Sequence, residues 1–221
     1  SMMTQNMALI VAPGSYLGTN RSGAVKEIIA RIKALSPDVV GLCEVFAEDE
    51  KEQIIAGTGM FPSVVKGPYR DGVPTSDGGC LLLSKHKKLA ENVIVYSFAF
   101  WDDMAADKGV LHMRIQVPNS SRPYEIFYSH TQNIAVFGGA EMLYQQLIQM
   151  ANFINRVADP NNPIFIMGDL NVPGEVPKHY DAMIHTLGNP LDLWLVSGGS
   201  AGGSDGLTFV ANNNFYADQD D

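Results

Sequence analysis

The chain has 221 residues, 46% of them hydrophobic and 18% charged, which excludes global disorder and leaves enough apolar side chains for a sizeable core. Lys plus Arg number 15 against 24 Asp plus Glu, a net charge of −9, so the protein has no general electrostatic attraction to nucleic acid. The length suits one large domain or two small ones. No internal repeat or interdomain linker is visible, and a single domain over 1–221 is the expectation.

Cys43 and Cys80 are the two cysteines. Their spacing is that of neither a disulfide framework nor a zinc site, and both sit in apolar runs, so buried free thiols are expected. No run of 18 apolar residues occurs, which excludes a membrane-spanning helix of the usual kind. No signal peptide is visible. Ser1 ahead of Met2-Met3 has the look of a cloning remnant, so a soluble protein is expected, cytoplasmic or secreted after removal of a leader.

In chain order, Met3 to Val11 reads as a strand with Asn6 inside it, ended by Pro13-Gly14. Val25, Ile28, Ile29, Ile32 and Leu35 recur at helical spacing, and Ser36-Pro37 stops that helix. Val39 to Val45 is a buried strand that carries a single charge, Glu44. Glu48 to Thr58 predicts a short helix whose acidic first turn suits the helix dipole. Ser63 to Lys66 predicts a strand, followed by a polar loop to Gly79. Cys80 to Leu83 is another apolar strand. Asn92 to Phe100 and Gly109 to Val117 alternate as half-buried strands do. Tyr124 to Ser129 is a strand with His130 at its end. Glu141 to Val157 predicts an amphipathic helix, Lys178 to Leu187 a short one, and Leu191 to Val196 a short apolar segment. Gly198 to Gly206 is a glycine- and serine-rich loop. This order is not the regular alternation of a doubly wound sheet. A core of two sheets with helices packed outside fits it better.

The most informative stretch is Pro163 to Gly174. The apolar run Ile164 to Met167 ends abruptly at Gly168, and Asp169 and Asn171 follow, two residues apart and so on one side of an extended chain. Taken alone the pair is either a polar turn or a site. Asn6 alone is equally a hydrogen-bonded strand residue, and His130 a satisfied rim histidine. Glu44 is harder to dismiss, because an unpaired buried carboxylate is costly. Together these strand-end groups suit one chemistry. Oxygen ligands from Glu, Asp and Asn favour a hard cation such as Mg²⁺, which keeps waters and binds substrate phosphate, while a histidine binds phosphate oxygens or moves a proton.

Six pieces of the chain carry a resemblance to a known family: Thr4-Gln5-Asn6, Ser36 to Phe46 (SPDVVGLCEVF), Asp77 to Lys85 (DGGCLLLSK), Lys108 to Leu111 (KGVL), Ser129 to Gln132 (SHTQ) and Gly168 to Asn171 (GDLN). In this order they resemble the endonuclease/exonuclease/phosphatase superfamily, the DNase-I-like fold. KGVL, SHTQ and Gly206 to Phe209 (GLTF) are most similar to its sphingomyelinase branch. The resemblance implies an α/β (α+β) fold, a four-layered α/β/β/α sandwich. It implies a divalent-metal-dependent phosphodiester hydrolase using Mg²⁺ or Mn²⁺, with a phospholipid head group as substrate. A nuclease of the same fold and a non-catalytic binding module are the alternatives, and the acidic charge disfavours nucleic acid. By the same resemblance Glu44 is the metal carboxylate and Asn6 supports the metal and phosphate site. His130 contacts phosphate and assists the leaving group, and Asp169 and Asn171 handle the attacking water and the phosphate. Asp77 is a substrate-side candidate, or a turn residue before Gly78-Gly79. The family's closing strands and Ser-Asp-His segment have no counterpart before Asp221. The expectation is therefore a domain incomplete at its C-terminus and catalytically poor.

Overall fold

The computed structural model describes residues 1–9, 21–70, 76–97, 106–134 and 138–199. The chain divides into two compact units, Ser1–Asn171 and Val172–Asp221. The described elements are β1 (Met2–Leu9), α1 (Arg21–Leu35), β2 (Val39–Val45), α2 (Glu48–Thr58), β3 (Ser63–Gly67), β4 (Ser76–Asp77), β5 (Cys80–Ser84), β6 (Lys87–Val95), β7 (Ala106–Asp107), β8 (Gly109–Gln116), β9 (Tyr124–His130), α3 (Gly139–Val157), β10 (Ile164–Asp169), α4 (Pro177–Thr186) and α5 (Leu193–Val196). Among the described residues no helix is long and apolar enough to cross a membrane.

The first unit contains two four-stranded sheets, ordered β1-β2-β5-β3 and β10-β9-β8-β6, and a two-stranded pair, β4-β7. Side-chain alternation sorts the apolar residues into layers. Val39, Cys43, Val65, Cys80 and Leu82 of the first sheet pack against Leu111, Met113, Ile115, Ile126 and Tyr128 of the second. The opposite face of the first sheet, with Val40, Leu42, Leu81 and Leu83, is covered by Val25, Ile28 and Ile32 of α1 and Ile54 of α2. The second sheet is covered by α3, whose buried stripe is Leu143, Leu147, Met150, Phe153 and Ile154. The result is the expected four-layered α/β/β/α sandwich. Full burial of each large aliphatic side chain contributes about 1.5–3 kcal/mol.

One close approach limits the sheet spacing. A Cβ on Gly41 would lie 2.2 Å from the Tyr128 ring, so only glycine on β2 admits that ring between the sheets. Beneath α3, a polar cluster is buried and well satisfied. His112 Nε2 lies 2.7 Å from Glu125 Oε2, and Arg114 Nε and Asn162 Nδ2 each donate to Glu125 Oε1 at 2.8 Å. Asn92 Nδ2 lies 3.1 Å from His112 Nδ1, an arrangement that assigns the ring proton to Nε2. His112 also stacks on Phe127, with centroids 4.6 Å apart.

Burial holds the His112 pKa below its ordinary value, although the Glu125 carboxylate works the other way. Burial would raise the Glu125 pKa, but hydrogen bonds from Asn162, His112, the Asp159 amide and Arg114 outweigh it and keep the group low. The unfolded chain therefore takes up the His112 proton first on acidification. This contribution to stability is complete above about pH 6.5 and is lost as pH falls toward the depressed folded-state value. Urea unfolding at pH 7.5 and at pH 5.5 should show a lower midpoint at the acid pH, and His112→Gln should flatten that dependence. Glu125→Ala strands the buried imidazole and leaves the half-buried Arg114 guanidinium without its carboxylate, and should cost about 3 kcal/mol at neutral pH.

Candidate active site

Five of the six residues singled out in the sequence stand at strand ends on one side of the first unit, where β1 and β10 are the outermost strands of their sheets. β1 runs parallel to β2 with Asn6 opposite Cys43, which places Asn6 one residue from the level of Glu44. Both strands are irregular there. The β1–β2 register shifts between Asn6 and Leu9, and Ala8 and Glu44 have φ of 51° and 56°. On β2, Val40 and Leu42 face the helices while Val39 and Cys43 face the other sheet, yet Val45 again faces the helices. One irregular residue at Glu44 thus shifts the alternation, as a bulge does, and turns the carboxylate away from the core. A non-glycine residue at positive φ is uncommon, and it is held here by the Val45 amide donating to Gly79 O at 2.9 Å.

The second sheet supplies the other half. β10 runs parallel to β9 with Asp169 opposite His130, so residues 39 positions apart in the sequence become neighbours. Asn6 joins the two sheets. Its Nδ2 donates to Glu44 Oε1 at 2.9 Å and to Asp169 Oδ2 at 3.0 Å, while its Oδ1 accepts from the Ala8 amide at 3.0 Å. The amide orientation follows from these partners, since Ala8 N can only donate and the carboxylates can only accept. Asp169 Oδ1 accepts from the Asn171 amide at 3.1 Å.

Sequence reasoning noted Lys108 and Thr131 only as motif letters, yet both are built into the site. Lys108 is buried and donates to Thr131 O at 2.7 Å, with its Nζ 3.4 Å from His130 Nε2. Asn171 Nδ2 also donates to Thr131 O, at 2.9 Å, and the Thr131 amide donates to Asp169 O at 3.1 Å. The Thr131 carbonyl therefore ties the ends of β9 and β10 to Lys108. A signal for Lys108 was present, because a lysine leading the apolar run Gly109 to Leu111 must find a partner if buried.

His130 Nε2 lies 3.7 Å from Glu44 Oε1. Burial first, then the Lys108 charge, push its pKa down to about 3, against a smaller opposite pull from Asp169. The imidazole is neutral at physiological pH. The Lys108 contact assigns the Nε2 lone pair as acceptor and the ring proton to Nδ1. His130 Nδ1 and Thr131 Oγ1 are both buried without a hydrogen-bond partner among the described residues. Buried polar atoms normally have partners, so these two mark where an additional group would be accommodated.

Asp77 is engaged elsewhere. Its Oδ2 forms an ion pair with the fully buried Lys51 of α2, and its Oδ1 accepts from the Gly79 amide at 2.8 Å. It shapes the loop that leads into β5. Gly206 to Phe209, the end of the Asn92 to Phe100 segment and residues 71–75 of the polar loop lie outside the described residues.

The donor set is compatible with a hard divalent cation. Glu44, Asp169 and Lys108, with neutral His130, sum to one net negative charge, and the two carboxylates converge on a single amide nitrogen. Among the described residues no three His, Cys, Asp or Glu side chains form a complete protein cage. Mg²⁺ does not require one, since it is held by one or two carboxylates with waters and substrate phosphate completing the shell.

A model of the Endonuclease/Exonuclease/phosphatase family matches residues 3–208. The chain belongs to this family. Solved structures agree on the fold. Sphingomyelinase C from Streptomyces griseocarneus superposes with a TM-score of 0.73 at 21% identity, over 84% of this chain and 68% of that one. Beta toxin from Staphylococcus aureus gives 0.73 at 19% identity, over 84% and 70%. Humanized D. rerio TDP2 gives 0.63 at 18% identity, over 88% and 70%. One structure of the S. aureus beta toxin, a double mutant with a TM-score of 0.72 at 17% identity, over 83% and 68%, contains bound magnesium ions. No curated protein sequence matches the chain.

Within this endonuclease/exonuclease/phosphatase domain, Gly168 stands beside Asp169 and tolerates no side chain. It has φ of 137°, and a Cβ there would lie 1.9 Å from Ser129 O. The contact is backbone to backbone, so no side chain can yield. Gly168→Ala should separate the β9–β10 pairing beside Asp169 and destabilise the fold by on the order of 1–3 kcal/mol, read as a lowered thermal midpoint.

Proposed function

We propose that the protein is a divalent-metal-dependent phosphodiester hydrolase, using Mg²⁺ or Mn²⁺, that releases a phospholipid head group in the manner of a sphingomyelinase. Membership in the family supports a phosphoester hydrolase. The metal and the substrate are the further step. The observation that carries it is the Asn6 amide between Glu44 and Asp169, with Lys108 and His130 beside them. This arrangement combines paired carboxylates for a cation with a buried ammonium and imidazole for an anion.

Glu44 is the carboxylate that would hold the metal. Asn6 supports that site by fixing Glu44 and Asp169 through its amide nitrogen. A bound Mg²⁺ would polarise a phosphoryl oxygen and stabilise charge developing on it. Asp169 orients a water against phosphorus and accepts its proton as the P–O bond forms. Asn171 keeps Asp169 and the Thr131 carbonyl in register and faces the phosphate. Lys108 draws the phosphate in as a fixed ammonium, and such pre-positioned charge lowers the barrier without reorganisation. His130 offers its Nδ1–H as a hydrogen bond, without giving up the proton, to a phosphate oxygen or to the leaving-group oxygen. Similarity of the KGVL and SHTQ segments to the sphingomyelinase branch, and the fold shared with sphingomyelinase C, support a lipid phosphodiester. The net charge of −9 weighs against a polyanionic nucleic acid.

The test is hydrolysis of sphingomyelin vesicles and of plasmid DNA, with Mg²⁺ and with EDTA. The expected result is slow, metal-dependent release of the phosphorylated head group, in keeping with the missing Ser-Asp-His segment, with little cutting of DNA. Asp169→Asn should reduce turnover by roughly 10²–10⁴-fold, and Glu44→Gln should abolish the response to metal. Cutting of DNA in preference to lipid would replace the substrate assignment. Hydrolysis that survives EDTA, or none of either substrate, would contradict the proposal.

A further inference from the structure

Cys43 and Cys80 are free thiols, and the candidate active site makes no use of them. The fold makes them a pair. β2 and β5 run antiparallel, with Val39 opposite Ser84, Val40 opposite Leu83, Gly41 opposite Leu82 and Leu42 opposite Leu81. The next step of that register sets Cys43 against Cys80. Both side chains face the inter-sheet core and both are buried. Facing residues of an antiparallel pair have Cα atoms about 4.5–5.5 Å apart, inside the range of about 4.4–6.8 Å that a disulfide spans. As thiols the two point to different acceptors, Cys43 Sγ to Gln5 O at 4.0 Å and Cys80 Sγ to Gly78 O at 3.5 Å. S–H is a weak donor, so little opposes the χ1 rotations that turn one sulfur toward the other.

The pair lies directly behind the carboxylate proposed to hold the metal. Cys43 precedes Glu44, whose φ of 56° turns its side chain out of the core. Cys80 follows Gly79, whose carbonyl accepts the Val45 amide at 2.9 Å and holds that turn. Facing Cβ atoms stand about 4.5–5.5 Å apart, whereas a disulfide needs about 3.5–4.5 Å. Closing the bond therefore draws β2 toward β5 by up to about 1 Å at the residue before Glu44. Asp169, on the other sheet, does not follow, so the two carboxylates lose their common centre. Burial pushes both thiols' pKa up, Cys80's to about 12, and the closed fold reacts slowly for that reason. The way in is the end of the ladder. Regular β2–β5 pairing stops at Leu42 and Leu81, and beyond the cysteines lie the irregular Glu44 on one strand and Gly78-Gly79 on the other. Without a cation, Glu44 and Asp169 repel each other across this end, which favours its opening.

We propose that Cys43 and Cys80 form a redox switch on the metal site, in which a hydroperoxide converts the two thiols to a cross-strand disulfide that displaces Glu44 and weakens cation binding. One sulfur attacks a peroxide oxygen, giving a sulfenic acid and releasing the other oxygen as an alcohol, or as water from hydrogen peroxide. The second sulfur then displaces the sulfenic oxygen as water and forms the S–S bond. The peroxide gains the two electrons that the thiols lose. A bond closed against the strand spacing is readily reduced, so a thiol reductant restores the site. This rests on the reading of Glu44 as the metal carboxylate. Coupling between two equilibria is reciprocal, so a bound cation in turn disfavours the disulfide.

The test exposes the full chain to hydrogen peroxide, with and without saturating Mg²⁺, followed by peptide mapping without reductant. After the peroxide and Mg²⁺ are removed, Mn²⁺ is titrated by electron paramagnetic resonance. The expected product is one peptide linking Cys43 to Cys80 within a single chain, formed more slowly when Mg²⁺ is present. The cross-linked chain should bind Mn²⁺ at least about tenfold more weakly, and dithiothreitol should restore the affinity. Cys80→Val, which keeps an apolar side chain in the core, should bind Mn²⁺ like the reduced wild type and lose the response to peroxide. Oxygen added to Cys43 or Cys80 without a cross-link, a disulfide between two chains, or a cross-linked chain that binds Mn²⁺ as tightly as the reduced one would overturn the switch. The two failures are distinct. A reduced chain that binds no Mn²⁺ refutes the metal site itself, whereas normal Mn²⁺ binding without a Cys43–Cys80 disulfide refutes only the switch.

Discussion

One carboxamide nitrogen holds two sheets and two negative charges together. Asn6 belongs to the first strand of one sheet and Asp169 to the last strand of the other, and Glu44 stands on the strand beside Asn6. The two bonds from Asn6 Nδ2, at 2.9 and 3.0 Å, close this side of the sandwich across the inter-sheet core. Bringing two carboxylates this near is unfavourable unless positive charge or donors lie between them. An amide N–H is a weak answer to that repulsion, and a divalent cation is a strong one. This is the physical ground on which a divalent cation is proposed at the site.

Much of the surrounding structure serves that convergence. The irregular backbone at Ala8 and Glu44 turns side chains out of a buried strand, and the positive φ of 49° at Asn171 does the same after β10. Left-handed backbone at non-glycine residues carries a cost that the rest of the fold must over-determine. Here it is offset by parallel pairing on one side and by the Thr131 carbonyl and Gly79 carbonyl on the other. The anionic half of the site is complemented by Lys108, whose burial is tolerable because the Thr131 carbonyl accepts one of its protons and the neutral His130 ring accepts another.

The fold was readable where residues repeat with a period. Val39–Val45 and Glu48–Thr58 emerged with the bounds that the structure gives them, because an inner strand is apolar on both faces and α2 begins with three acidic residues and ends at Gly59. β6 begins at Lys87, five residues before the expected Asn92. It is an edge strand whose first residues are Lys87, Lys88 and Glu91, and charge on a solvated edge hides the strand period. The two-residue strands β4 and β7 have no period to read. Among the residues brought together there, Glu44, His130, Asp169 and Asn171 were legible as polar residues at the ends of apolar runs, and Asn6 as a polar residue inside a strand. Lys108 was legible only as a lysine leading the apolar run of β8, and Thr131 was not, since it acts through its backbone. Asp77 was legible as a loop carboxylate, but its pairing with Lys51 depends on a tertiary contact between α2 and β4.

The central claim is that Glu44 and Asp169 converge in order to hold a divalent cation. Electron paramagnetic resonance of free Mn²⁺, titrated against the wild-type chain and against Glu44→Gln, measures this directly and needs no substrate. The account predicts one saturable site in the wild type that Mg²⁺ displaces, lost in Glu44→Gln while the thermal midpoint is retained. Mn²⁺ binding that is equally strong in Glu44→Gln, or absent from the folded wild-type chain, would contradict it.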